Sequence, residues 1–184
     1  PEKKMGWCAS DTRSVFFKDM QIPKSSILGN SKDGFKQFLQ TLTSGRITIG
    51  ALSLGTAQGA FNRALLYSNE REAFGKSINR FQGVSFKLSD MATQIEAARH
   101  LVYHVAWMKD RGFSVIREAS MAKLFASETA MKVTTEAIQV LGGFGYIKEY
   151  DVERFFRDAK ILEIGEGTSE IQRMIISKDI LEGI

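Results

Sequence analysis

The sequence predicts an all-α fold: an up-down four-helix bundle with a short β-strand and loop remnant at the N-terminus. Two observations carry this. Apolar residues recur every three to four positions through most of the chain after residue 34, and the one strand-like run lies near the start. Two segments are expected, residues 1–33 as strand and linker and residues 34–184 as the helical bundle. Within the first, Ser14-Val-Phe-Phe17 is a β-prone run that Met20-Gln-Ile-Pro23 closes with a proline. Residues 24–33 are polar and turn-rich. A lone strand pair is marginal in water without further strands.

The helices follow in order. Over residues 46–69, Ile47, Ala51, Leu54, Phe61 and Leu65 form a stripe with Ala57 and Ala64 beside it. Over residues 82–110, Val84, Leu88, Met91, Ile95, Ala98, Val102 and Val105 step by three and four without a miss, the pattern of antiparallel packing at small crossing angles. Ala122, Ala126, Val133, Ala137 and Val140 give residues 118–141 a small-residue stripe that permits close approach, and Gly142-Gly143 supplies a C-cap. A short helix near residues 152–159 and a last one over residues 169–181 complete the set.

Composition narrows the function classes. The 184 residues, 43% hydrophobic and 25% charged, suffice for one well-buried domain. The net charge of +4 is spread along the chain and not gathered in the stripe a nucleic-acid protein would carry. Cys8, the single cysteine, has no intrachain partner and fits a reducing compartment. No apolar run reaches membrane-spanning length. The expectation is a soluble protein of the cytoplasm, or of the mitochondrial matrix in a eukaryote, with no nucleic-acid or membrane partner.

The chemistry concentrates in the last third. Gln139-Val-Leu-Gly142-Gly143-Phe-Gly145-Tyr146 ends one helix and is followed by Glu149, Arg154 and Asp158, then by Ile164-Gly-Glu166-Gly-Thr168-Ser-Glu-Ile-Gln-Arg173. Glu166 stands between two glycines directly before a helix start, where Thr168 and Ser169 are good N-cap residues. That arrangement presents a carboxylate base to a ligand held at a helix end, and reads equally well as a capped surface loop. Arg71 offers a planar fork suited to a pyrophosphate and is followed by Phe74-Gly75; on spacing alone it is also an ordinary charge at a helix end. Arg46 falls in an expected first helical turn, which suits a cation poorly. Arg154 and Asp158, four apart, read as an exposed ion pair. Glu96, His100 and His104 share a helix face, but no further histidine completes a metal shell, so no metal site is assigned.

The segment from Gln139 to Asp158 resembles the C-terminal signature of the acyl-CoA dehydrogenase family, and residues 164–173 resemble its catalytic-glutamate segment. Tyr67, Arg71, Phe74-Gly75 and Phe81-Gln82 resemble its flavin-contacting helix and loop, and the opening, with Met5-Gly6, Ser10, Thr12 and residues 16–23, resembles the end of its β-domain. The resemblance covers nearly the whole chain and implies a C-terminal piece of a longer enzyme. It implies FAD as cofactor, with Glu166 taking the α-proton of an acyl-CoA as the β-hydride passes to the flavin to give a trans-2-enoyl thioester. Electrons would then pass to an electron-transfer flavoprotein.

Carried over residue by residue, the resemblance makes Arg71, Phe74, Gln82, Gln139, Val140, Leu141, Gly142, Gly143, Thr168, Ser169 and Glu170 contacts to FAD. Arg71 and Gln82 would reach into a partner subunit's cofactor, implying a homodimer or homotetramer. Thr43, Ser44, Gly45, Arg46 and Gly167 would line the acyl-CoA. Some relatives carry their glutamate just before the arginine matched by Arg46; Gly45 stands there in this chain, which leaves Glu166 as the base and argues against the isovaleryl- or long-chain-type arrangement. Gly165 replaces a tyrosine common among relatives, altering the acyl pocket. A second reading, of a different class, is a catalytically silent helical fragment whose remaining role is self-association.

Overall fold

A computed structural model describes residues 1–30 and 32–182; Ser31 of the expected linker, and Gly183 and Ile184 at the end of the expected bundle, lie outside the described residues. Three long helices, α1 (Gly34–Glu70), α2 (Gln82–Asp110) and α3 (Ile116–Leu141), are followed by a short α4 (Val152–Ala159) and a closing α5 (Ser169–Glu182). The α1 and α3 helices run parallel in the most extensive contact of the fold. Gly50 meets Val102 and Ala122 near one end, and Tyr67 meets Phe144 at the other, 6.2 Å between ring centroids. The α2 helix runs back between them, joined to α3 by a Lys87–Glu136 ion pair. The α5 helix lies antiparallel on α3 through Arg117–Asp179 and Arg173–Glu128. Thus α1, α2, α3 and α5 are the four alternating helices of the bundle.

The core follows the sequence pattern on α2 and α3 and departs from it on α1. Leu88, Met91, Ile95, Ala98, Val102 and Val105 are buried with Val84 half-buried beside them, as are Ala122, Ala126, Val133, Ala137 and Val140. On α1 the buried face is Gly50, Ser53, Leu54, Ala57, Ala60, Ala64 and Ser68; Ala51 is exposed and Leu65 is 38% exposed. The expected stripe was rotated by about one position because side-chain size drew it toward Ala51 and Leu65. The real seam is built of small residues that let α1 and α3 approach closely. Its serines return their hydroxyls to the helix, Ser53 Oγ to the Ile49 carbonyl at 2.7 Å and Ser68 Oγ to the Leu65 carbonyl at 2.8 Å, so neither leaves a polar atom unsatisfied.

The strand signal was also misplaced. Residues 14–17 form no strand, and Phe16 is 90% exposed, because a strand needs a partner for its backbone groups and none is present among the described residues. The one strand pair, β1 (Glu72–Ala73) with β2 (Lys76–Ser77), is a hairpin between α1 and α2. Phe74 (φ +50°) and Gly75 (φ +79°) form its two-residue turn, both left-handed as a type I′ hairpin requires. The N-terminal residues instead form a loop, closed by Glu2 N–H to the Thr12 carbonyl at 3.0 Å. They dock on α4, where the Trp7 N–H donates to Asp158 Oδ1 at 2.6 Å and Arg157 Nη1 donates to the Met5 carbonyl at 3.1 Å.

Candidate active site at the Glu166 turn

Between α4 and α5 the chain makes one 3-10 turn (Lys160–Glu163) and then a tight turn in which Glu166 has φ +56° and Gly167 φ +96°. Only glycine takes the second geometry without strain; a glutamate in the first needs surrounding structure to hold it there. Thr168 closes the turn into α5, its Oγ1 accepting from the Ile171 N–H at 3.4 Å and its carbonyl from the Gln172 N–H at 3.0 Å. Of the two expected cap residues Thr168 is therefore the one that caps, and the Ser169 hydroxyl is buried without a partner.

Two side chains that sequence reasoning missed brace the turn. Lys123 of α3 donates from Nζ to the Gly167 carbonyl at 2.8 Å. Gln172 of α5 donates from Nε2 to the same carbonyl at 2.9 Å and to the Glu166 carbonyl at 3.2 Å. Both are fully buried. A signal for Lys123 was available: it stands on one helical face with Ala119, Ala126 and Ala130, a charge embedded in a continuous buried stripe.

The Glu166 carboxylate lies across α1 at Gly45. A methyl group on Gly45 would stand 2.7 Å from Glu166 Cδ and 3.2 Å from Oε1. The carboxylate thus occupies the space a side chain at residue 45 would need. Arg46, one residue on, is twelve residues into α1 and 6% exposed, so the first-turn dipole argument does not apply to it. Its Nε has no partner; burial lowers its pKa and the Glu166 charge opposes that. Burial likewise lowers the pKa of Lys123, with Glu163 counteracting and Arg46 adding to the fall. Thr43, Ser44 and Gly45 are half-buried on the same stretch of α1, and Glu170 opens α5 exposed to solvent.

A second cluster sits at the far end of the bundle. Arg71, Val140, Leu141, Gly142 and Gly143 line a cleft of about 470 Å³ with Tyr67 and Phe144. The Arg71 guanidinium carbon lies 5.9 Å from the Phe144 ring centroid. Gly142 ends α3 with φ +60°, its N–H donating to the Gln139 and Ile138 carbonyls, and its glycine face and that of Gly143 look onto open space. Gln139 is exposed at the last turn of α3. Phe74, 96% exposed at the hairpin tip, packs edge-on to Phe81 at 6.1 Å, and Gln82 opens α2; neither lines the cleft. Arg46 and Arg71, the residue that follows α1, are 25 residues apart along that helix, about 37 Å at 1.5 Å per residue.

Two other motifs resolve differently from expectation or stand alone. Arg154 pairs with Asp151 at 3.3 Å and not with Asp158, whose carboxylate holds the Trp7 backbone. His100 lies 3.3 Å from Glu96, and His104 stacks on Trp107 on the exposed side of α2. Among the described residues no helix is long and apolar enough to cross a membrane.

The model of the family "Acyl-CoA dehydrogenase, C-terminal domain" matches residues 32–181, and the chain belongs to that family. It is 50% identical over 182 residues to an acyl-CoA dehydrogenase of Bacillus subtilis, covering 99% of this chain and 48% of the relative. The solved structure of butyryl-CoA dehydrogenase from Megasphaera elsdenii superposes with a TM-score of 0.96 at 47% identity, covering 98% of this chain and 47% of that one. A chain in the structure of the electron transferring flavoprotein of Acidaminococcus fermentans superposes equally well, TM-score 0.96 at 48% identity over 98% of this chain and 47% of that one. The chain spans about half the length of the curated relatives it matches.

Proposed function

We propose that the chain forms the C-terminal half of an FAD-dependent acyl-CoA dehydrogenase, with residues 1–33 continuing a β-domain and the helices forming the bundle. Glu166 takes the α-proton of a bound acyl-CoA, a double bond forms between the α and β carbons, and the product is the trans-2-enoyl thioester. The observation that carries this reading is the environment of Glu166. Its half-buried carboxylate is aimed across Gly45 beside Arg46, and three buried polar atoms without partners, Arg46 Nε, Ser169 Oγ and Gln172 Oε1, gather around the same turn. Buried polar atoms are normally paired, so such a cluster fits a site whose remaining partners come from a ligand.

The residues fit FAD. Arg71 supplies a cation, Gly142 and Gly143 open backbone, and Tyr67 and Phe144 apolar walls at one end, while Thr168, Ser169 and Glu170 stand beside the base at the other. Bound FAD supplies the acceptor for the β-hydride. Thr43, Ser44, Gly45, Arg46 and Gly167 line the acyl-CoA, and the Glu166 N–H polarises the thioester carbonyl. The two FAD clusters are too far apart for one small cofactor in one chain, which supports a homodimer or homotetramer whose Arg71 and Gln82 reach a partner's flavin. Likeness to a butyryl-CoA dehydrogenase makes butyryl-CoA the first substrate to try, and likeness to a chain in an electron transferring flavoprotein structure supports such a flavoprotein as electron acceptor.

The test is anaerobic mixing of the full-length, FAD-loaded enzyme with butyryl-CoA. Loss of the oxidised flavin spectrum together with one equivalent of trans-2-enoyl thioester is expected. An unchanged spectrum across short, medium and branched acyl-CoA substrates would overturn the reading.

A further inference from the structure

We propose that Lys123 and Gln172 are positioning residues for the base: together they clamp the Gly167 carbonyl and so hold Glu166 in the left-handed conformation that sends its carboxylate over Gly45. This rests on the reading of Glu166 as the base. Three features converge on one turn. Glu166 (φ +56°) and Gly167 (φ +96°) are consecutive left-handed residues, and the first is not a glycine. The Gly167 carbonyl accepts from Lys123 Nζ at 2.8 Å and from Gln172 Nε2 at 2.9 Å, two donors from two different helices. Both donors are fully buried, and Lys123 is the largest such side chain among the described residues.

A buried ammonium is a poor way to stabilise a helix seam. Taking it out of water is expensive, and apolar residues of similar volume usually do as well or better in such a place. What Lys123 adds is direction, because a charged donor makes a short, strong bond to one chosen carbonyl. With Gln172 holding the same oxygen and also the Glu166 carbonyl, both peptides that flank Gly167 have little freedom to rotate. Without these bonds the turn can relax through φ and ψ of Glu166 toward ordinary values and swing the carboxylate off Gly45. Misplacing a reacting group by about 1 Å can cost about 100-fold in rate.

Lys123→Met and Gln172→Leu separate this role from simple packing. In this chain, amide hydrogen exchange of peptides covering residues 164–168 should accelerate at least about ten-fold in each variant. Peptides from the α1 core should hold their protection. In the full-length, FAD-loaded enzyme, flavin reduction by butyryl-CoA should slow roughly 10- to 100-fold at saturation. The half-saturating concentration and the bound flavin should stay near those of the unsubstituted enzyme. If Lys123→Met does not fold, Gln172→Leu decides alone. Unchanged exchange in the turn with a rate within about two-fold would overturn the clamp, and so would a slower rate matched by an equal rise in half-saturation. Glu166→Gln, measured in parallel, keeps the two readings apart. Normal reduction in that variant would sink the base and not the clamp, which the exchange data would still judge.

Discussion

The Glu166 carboxylate lies directly against Gly45, and the absence of a side chain there has a consequence for rate. A methyl group at that position would crowd the end of the Glu166 side chain, which can move, and not the backbone, which cannot. Gly45→Ala should therefore fold normally and displace the carboxylate, lowering the rate of flavin reduction in the full-length enzyme by roughly 10- to 100-fold. Rapid-mixing absorbance checks it, and a rate within two-fold of the unsubstituted enzyme would mean the carboxylate has another productive position. Arg71 is exposed at the end of α1 over the Phe144 ring, so its loss should leave the fold intact. Arg71→Ala should weaken FAD retention by about 1.5–3 kcal/mol, the range for a charged hydrogen bond, as measured by flavin content after dialysis. Glu166 and Arg71 stand out as candidates in the sequence because motif spacing exposes them. The burial of Lys123 is readable from its place in an alanine stripe, but its target and that of Gln172 are not, because a donor to a backbone carbonyl leaves no motif; only the tertiary path of the turn brings Gly167 to them.

Among the elements, α3 carries a fully buried cation, Lys123. Burial lowers the pKa of Lys123 below the ordinary lysine value of 10.5, while Glu163, Glu170 and Glu128 oppose the fall and Arg46 assists it. In the interval between the lowered folded value and 10.5, the unfolded chain binds more protons at this site, so stability from Lys123 rises as pH rises through that interval. Thermal melts of the unsubstituted chain and Lys123→Met across the alkaline range should show the difference moving in favour of the lysine as pH increases. A difference that is flat or moves the other way would contradict the burial of a charged Lys123. The α2 and α3 stripes were readable because large and small apolar residues alternate with charge at helical spacing. The α1 face was misread by one position because its buried residues are glycine, alanine and serine, which carry little hydrophobic contrast with the opposite face. The strand near residue 14 is absent for a different reason: β-propensity describes a fit to a sheet, and no neighbouring strand among the described residues supplies one.

At the scale of the whole molecule, many large apolar side chains remain on the surface, among them Phe35, Phe38, Leu66, Phe86 and Trp107. Where such side chains join into a contiguous patch, they mark a face that packs against something. With the two proposed FAD clusters at opposite ends of the bundle, the chain alone should purify as a helical dimer or dimer of dimers, colourless or nearly so, because the proposed β-domain would cover part of the flavin. Sedimentation and a visible spectrum check both points; a monomer would count against the shared cofactor, and stoichiometric yellow colour would show that this segment holds FAD unaided. The bundle was legible from periodicity alone, whereas the distance between Arg71 and the Glu166 turn became visible only once α1 ran unbroken from Gly34 to Glu70.

The most direct test of the account is the reduction of bound flavin by butyryl-CoA in full-length Glu166→Gln. The amide keeps the shape of the side chain and cannot accept the α-proton, so the enzyme should retain its FAD and bind substrate while the flavin stays oxidised. Bleaching at a near-normal rate would show that another group removes the proton and that the Glu166 turn is not the active site.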